Sequence, residues 1–295
     1  MRRAWPILAA LLLTPAAHAC NVPVFRYALE KWKPDLYRVY VLHQGPLAKQ
    51  HAALVKTLGK YGPGEDVPSN LDLNVLDLDK EDDAKKLYAK LGKPALPCLV
   101  VQATNLDREV VTIWSGKLEE KAVQALVQSP LRKELAKRLQ AGETAVWLLL
   151  ESGEKKKDDE AAAFLEKELK RVAAKLKLPK LTADPADKLA ENGPPLKVAF
   201  SVLRVKRDDA AEGVLRTMLL KSEEDIEKRK EPMAFPIFGR GRTLGGLIGA
   251  GLTGQNIEEG CALLVAPCSC KIKTQSPGFD LLLSTDWDAA FAPKK

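Results

Sequence analysis

The sequence predicts an α/β fold built twice in succession. Three observations carry this. Apolar segments with strand and helix periodicity alternate along the chain. The second half repeats the order of the first. The 295 residues are 46% hydrophobic and 29% charged, enough for two globular cores at roughly 100–150 residues per domain. That composition excludes collagen, extended disorder and a polytopic membrane protein.

The expected boundaries are a leader over 1–19, a first unit over 20–140, a second over 141–267 and an extension over 268–295. Arg2 and Arg3 form a basic n-region, residues 7–13 an apolar run, and Ala17-His18-Ala19 a small-x-small step. This is the order of a secretory signal peptide, and the apolar run is far shorter than the ~20 residues that span a bilayer. Cleavage after Ala19 leaves Cys20 first and lowers the net charge from +7 to +5. The expected location is periplasmic or extracellular. A cysteine at the cleavage point also admits a lipoprotein reading, with lipid on Cys20 as the one membrane attachment. Ala17 and His18 fit that pattern poorly.

The first unit reads in order. Residues 24–32 form a short helix after Pro23, and 37–42 an apolar strand ending at the turn Gln44-Gly45-Pro46. His51, Leu54, Val55 and Leu58 recur at helical spacing until Gly62-Pro63-Gly64. Leu71, Leu73 and Val75 alternate with Asp72 and Asn74, the period of a strand. Ala84, Leu87, Tyr88 and Leu91 make a helical stripe stopped by Gly92 and Pro94. Two strands, 99–102 and 110–114, flank the loop 104–108, and a helix carries Val123, Leu126 and Val127.

Two local features of residues 35–130 resemble the thioredoxin fold. Leu96-Pro97-Cys98 opens the third strand, like the thioredoxin step whose proline is cis and faces the active-site loop. Val41-Leu42-His43-Gln44-Gly45-Pro46-Leu47 resembles the thioredoxin strand-turn-helix. Beyond these two, the tail Ser115-Gly116-Lys117-Leu118, followed by a helix, is similar to the thioredoxin end. The resemblance implies a mixed central sheet flanked by helices. It also implies two cysteines about Gly-Pro, but Gln44 and Leu47 stand there. Disulfide exchange needs an attacking thiolate and a resolving thiol, so the family's activity does not carry over to this loop. Cys98 is the nearest thiol. It either faces the loop, packs in place of a threonine, or pairs with Cys20.

A second copy follows the first. A helix over 133–139, closed by Gly142, joins the halves. Residues 144–151 read as a strand, and Phe164, Leu165, Leu169, Val172 and Leu176 as a helical stripe. After a linker over 180–195 come a strand over 196–205, a helix over 214–229 and a strand over 233–238. Residues 244–252 read as a strand or a small-residue helix, and 257–265 as a helix. The extension carries a strand over 279–283. In this alignment Pro97 matches Pro236, and His43-Gln44-Gly45 matches Glu151-Ser152-Gly153. The second unit is therefore also read as thioredoxin-like without the cysteine pair.

Three groups of residues bear on chemistry. Cys261, Cys268 and Cys270 form a C-x6-C-x-C cluster. It suits a structural disulfide to Cys261, a redox pair at Cys268 and Cys270, or a soft metal at all three. A structural zinc lacks its fourth ligand, because the mature histidines, His43 and His51, lie in the other unit. Gly239-Arg240-Gly241-Arg242 resembles an anion-cradling loop, but a tight turn between strands explains the same residues. No hydrolase elbow, zinc helix or calcium loop occurs. Lysines interleave with acids, as in Lys155-Lys156-Lys157-Asp158-Asp159, which argues against nucleic acid. The reading that results is an exported, non-catalytic binding or scaffold protein with a protein or peptide partner and no cofactor. Its expected contact residues are Gln44, Gly45, Pro46, Pro97, Cys98 and Pro236. The alternative is thiol redox or metal handling through Cys268 and Cys270.

Overall fold

The computed structural model describes residues 20–268, 273 and 278–293. The expected leader and Cys270 lie outside them. The first part runs α1 (Val24–Lys31), β1 (Tyr37–His43), α2 (Lys49–Leu58), β2 (Tyr61–Gly62), β3 (Val67–Pro68) and β4 (Leu71–Asp77). It continues with α3 (Asp82–Lys90), β5 (Cys98–Thr104), β6 (Val110–Lys117), α4 (Glu120–Val127) and α5 (Pro130–Gln140). The second part runs β7 (Ala145–Leu150), α6 (Lys155–Lys175), β8 (Phe200–Val205), α7 (Gly213–Leu220) and β9 (Met233–Ile237). It closes with β10 (Arg242–Thr243), β11 (Leu247–Ile248), α8 (Gly254–Val265) and β12 (Phe279–Asp280).

The protein is α/β, with two four-stranded mixed sheets flanked by helices. The first has the order β4-β1-β5-β6, with β1 parallel to β4 and antiparallel to β5. The second has the order β8-β7-β9-β11, with β7 parallel to β8 and antiparallel to β9. The orders and directions are the same. Register fixes the equivalence: Leu42 opposes Cys98 in the first sheet, and Leu150 opposes Met233 in the second. His43-Gln44-Gly45 therefore corresponds to Glu151-Ser152-Gly153, and Pro97 to Pro232. The backbone repeats this detail, for Leu118 N–H donates to Pro97 O (3.2 Å) and Gly249 N–H to Pro232 O (3.1 Å). The sequence match of Pro97 with Pro236 is thus displaced by four residues. Pro236 lies inside β9, opposite Trp147.

Burial explains the strand patterns. β7, Ala-Val-Trp-Leu-Leu-Leu, is buried throughout because both faces of the second sheet are covered. Val146, Leu148 and Leu150 face one core with Leu215 and Met218 of α7. Ala145, Trp147 and Leu149 face another with Leu165 of α6 and Leu264 of α8. β1 alternates because Arg38 and Tyr40 look toward a face only partly covered by α3. Val39 and Val41 on its other face join the core shared by both sheets.

The chain ends cross over. α1 precedes the first sheet, yet Val22, Val24, Phe25 and Ala28 are buried beneath the second. The segment before it is zipped to the end of α8, with Val24 N–H on Ala266 O (3.0 Å) and Cys268 N–H on Val22 O (2.9 Å). Conversely, Leu281 and Leu283 lie in the core shared by both sheets and are fastened to the first. Asn70 donates to Leu281 O (3.1 Å) and accepts from Leu283 N–H (2.9 Å). Each end thus fastens to the unit remote from it in sequence.

Four elements depart from the sequence expectation. α5 starts at Pro130, because Ser129 caps it and proline suits a first helical position. α7 stops at Leu220 rather than near 229, since Glu223, Glu224 and Asp225 would crowd the negative end of the helix. β8 starts at Phe200, not 196, as the Thr144 hydroxyl bonds Lys197 O and Ala199 N–H where ladder bonds would be. β12 covers two residues, because Asn70 and Gly241 take the partners of the next ones.

Candidate functional site

β1 delivers its carboxyl end beside the Leu96–Pro97 peptide, which is cis. Gln44 and Pro46 are exposed there and Pro97 is half-buried. Gly45 takes φ +65°, a conformation that glycine adopts without cost. Asp77, at the end of the neighbouring strand, accepts the N–H groups of Gly45 (3.2 Å) and Asp79 (3.1 Å). Gln44 donates to Asp79 (2.9 Å). The loop is therefore tied to β4 by carboxylates. Leu47 and Ala48 lie before α2, and Ala48 is extended (ψ 148°). Position 47 is outside the first helical turn, where a thiolate would gain from the helix dipole.

The Asp79 amide, the Lys80 ammonium and the Gly45 amide hold the Asp77 carboxyl below the ordinary carboxylate range. A depressed folded-state pKa gives stability above the unfolded pKa that is lost as pH falls through the folded one. Protection of the Gly45 amide, the slowing of its exchange relative to the unstructured rate at the same pH, is accordingly expected to be high at neutral pH and to fall in acid. Asp77→Asn should remove the acid step, and an unaltered step in that variant would contradict this account.

The thiols are packed. Cys98 is fully buried with Leu42, Ala84 and Val100 on the α3 side, not in the loop. Cys261, on α8, is fully buried near Trp147. Neither is in a disulfide. Burial raises both thiol pKa values, that of Cys261 to about 12. Both side chains are therefore held as thiols near neutrality. The native protein should leave Cys98 and Cys261 unmodified by an aromatic disulfide reagent, and both should react once urea unfolds it. Labelling of either before unfolding would contradict their burial. Cys20 and Cys268 belong to the same core as Cys261, and the Cys20 thiol donates to Cys268 O (3.5 Å). Cys270 falls outside the described residues, so the expected Cys268–Cys270 pair is described on one side only.

The second loop is built alike. Ser152 N–H (2.6 Å), its hydroxyl (2.7 Å) and Gly153 N–H (3.0 Å) all donate to buried Asp158. Beside it, a crevice of about 600 Å³ opens at the ends of β7 and β8. Arg204 is paired there with Glu151 and Asp159, and Arg207 with two backbone carbonyls. Pro236 is remote from this loop and lines a separate slot over Trp147.

Arg240 and Arg242 do not present an anion cradle. Arg240 donates to Leu29 O (2.8 Å) and to Asp288 (2.8 Å). Arg242 is buried against Asp280 (3.4 Å) and lies over Trp32. The glycines form the tight turn from β9 to β10. Among the described residues no group of three or more His, Cys, Asp or Glu could hold a metal ion. No described helix is long and apolar enough to cross a membrane. Asp77 and Asp158 were not expected from sequence as loop anchors. Asp158 carries a local signal, an acid early in α6, whereas Asp77 lies 32 residues from Gly45. No family model, curated protein or solved structure matches the chain.

Proposed function

We propose that this chain is an exported, non-catalytic binding or scaffold protein made of two thioredoxin-like modules. The observation that carries the reading is the duplicated strand-end loop. In both sheets the first strand ends in a glycine loop beside a proline that opens the antiparallel strand. The shared strand order supports the module type, with α2 and α4 on one face of the first sheet and α3 on the other. The loops hold Gln44 and Ser152 where a nucleophilic thiol would act, and both are tied down by aspartate. Such a loop can offer shape and hydrogen bonds to an extended peptide, but no electron pair for exchange with a disulfide. Export rests on the pattern of residues 1–19. Burial of Cys20 favours an unlipidated mature chain, since a lipid on its sulfur would have to fit inside the core.

The test is partner capture from the exported fraction of the producing cell. A photo-crosslinking residue at Pro46 should capture a defined partner set, and Gln44→Glu should deplete it. An identical set from the Gln44→Glu chain would contradict the proposal.

A further inference from the structure

We propose that the slot beside Pro236 seats one large apolar side chain of an extended peptide, with a neighbouring Lys or Arg of that peptide against Glu223. This rests on the peptide-binding reading above and names the chemistry of the partner.

The slot follows from the ladder. β11 pairs with β9 only at Leu247–Ala234 and Ile248–Met233. Further along β9 stands Pro236, which has no N–H to offer a partner strand. The chain over 244–246 leaves the sheet, and Gly246 lies against the Phe235 ring, where a Cβ would stand 2.6 Å from it. The gap is a slot of about 220 Å³ with half-buried Leu244 and Leu247 on its walls and fully buried Trp147 and Leu264 beneath them. That volume is below the roughly 300–1,000 Å³ of small-molecule sites and suits a single side chain. Asn256 stands at the rim. Its Nδ2 is committed to Gly251 O (2.8 Å), which leaves Oδ1 as an acceptor for a peptide N–H.

Charge selects the occupant. Glu223 lines the slot, near Gly245, and makes no hydrogen bond or ion pair among the described residues. Asp107 of the β5–β6 loop stands close enough to act on it, where Leu106 N–H meets Ser222 O (3.0 Å). Asp107 has no ion pair among the described residues either. The chain as a whole is basic, at +7, so the unpaired carboxylates of Glu223 at the slot and Asp107 beside it are a local exception. An apolar floor under unpaired carboxylates fits an apolar side chain followed by a cation.

Fluorescence anisotropy of labelled peptides against the full mature chain tests this. Gly-Ser-Phe-Lys-Lys-Ser-Gly is expected to bind saturably. Its Phe-to-Ser and Lys-to-Glu versions should bind at least about tenfold more weakly. Glu223→Gln should weaken the first peptide by about fivefold. Gly260→Leu should abolish its binding by filling the slot. Gly260 is in the helix, and a Cβ there meets Trp147 at 3.9 Å, an ordinary contact. Its urea midpoint, at or above that of the parent chain, verifies folding. Equal binding of the Phe and Ser peptides, or binding unaffected by Gly260→Leu, would overturn the slot. So would an absence of binding up to about 1 mM. In each of these cases, partner capture that still depends on Gln44 would leave the broader reading standing.

Discussion

Replacing Arg132 by alanine is expected to remove roughly 3–5 kcal/mol of folding stability. Arg132 is 3% exposed. Its guanidinium donates to the carbonyls of Ala125 (2.5 Å), Leu126 (2.8 Å) and Leu282 (3.2 Å), and to the Ser129 hydroxyl (3.0 Å). One side chain thus closes the end of α4, the start of α5 and the C-terminal strap. Burial lowers its pKa to about 10, opposed by the Glu212 carboxylate and Tyr37. Glu212 is itself buried, accepting from Ser129 (2.5 Å) and Leu131 N–H (2.8 Å). Alanine leaves that carboxylate without its cation and three carbonyls without their donor. Arg132→Lys should recover little, because an ammonium cannot reproduce the planar fork. Urea unfolding measures the loss, and a loss below about 1 kcal/mol would place the strap's anchorage elsewhere.

The second large effect is expected at the other strap. Arg26 and Glu30 are a buried i,i+4 pair at 2.6 Å, with side chains 2% and 4% exposed. Arg26 also donates to Pro194 O (2.6 Å) and lies over the Phe291 ring. Glu30 accepts from Ala190 N–H (3.3 Å). Arg26→Ala strands a buried carboxylate and should cost about 3–5 kcal/mol. The double change Arg26→Met with Glu30→Leu removes both charges and should cost much less, since an apolar pair of similar volume avoids desolvation. A double variant as unstable as Arg26→Ala would show that the hydrogen bonds to 190 and 194, not the stranded charge, dominate.

The alternation of strands and helices was legible because periodicity is a local property. The all-apolar run of β7 announces a strand covered on both faces, and the glycines at 45 and 153 announce the turns that follow β1 and β7. Contacts between distant segments were not legible. Nothing in Cys20–Trp32 says that this helix serves the second sheet, because its Arg26 meets Pro194 only through tertiary packing. The match of Pro97 to Pro236 shows the same limit. Two prolines four residues apart, 232 and 236, are equivalent candidates until the Leu150–Met233 register decides between them. The cysteine spacing suggested chemistry, whereas burial of Cys98 and Cys261 makes both of them packing residues.

Turnover of insulin disulfides by the chain, with dithiothreitol as the electron source, addresses the non-catalytic account most directly. The account predicts precipitation at the rate of dithiothreitol alone. An acceleration that disappears in a Cys268→Ser, Cys270→Ser chain would contradict it and make those two residues a working thiol pair.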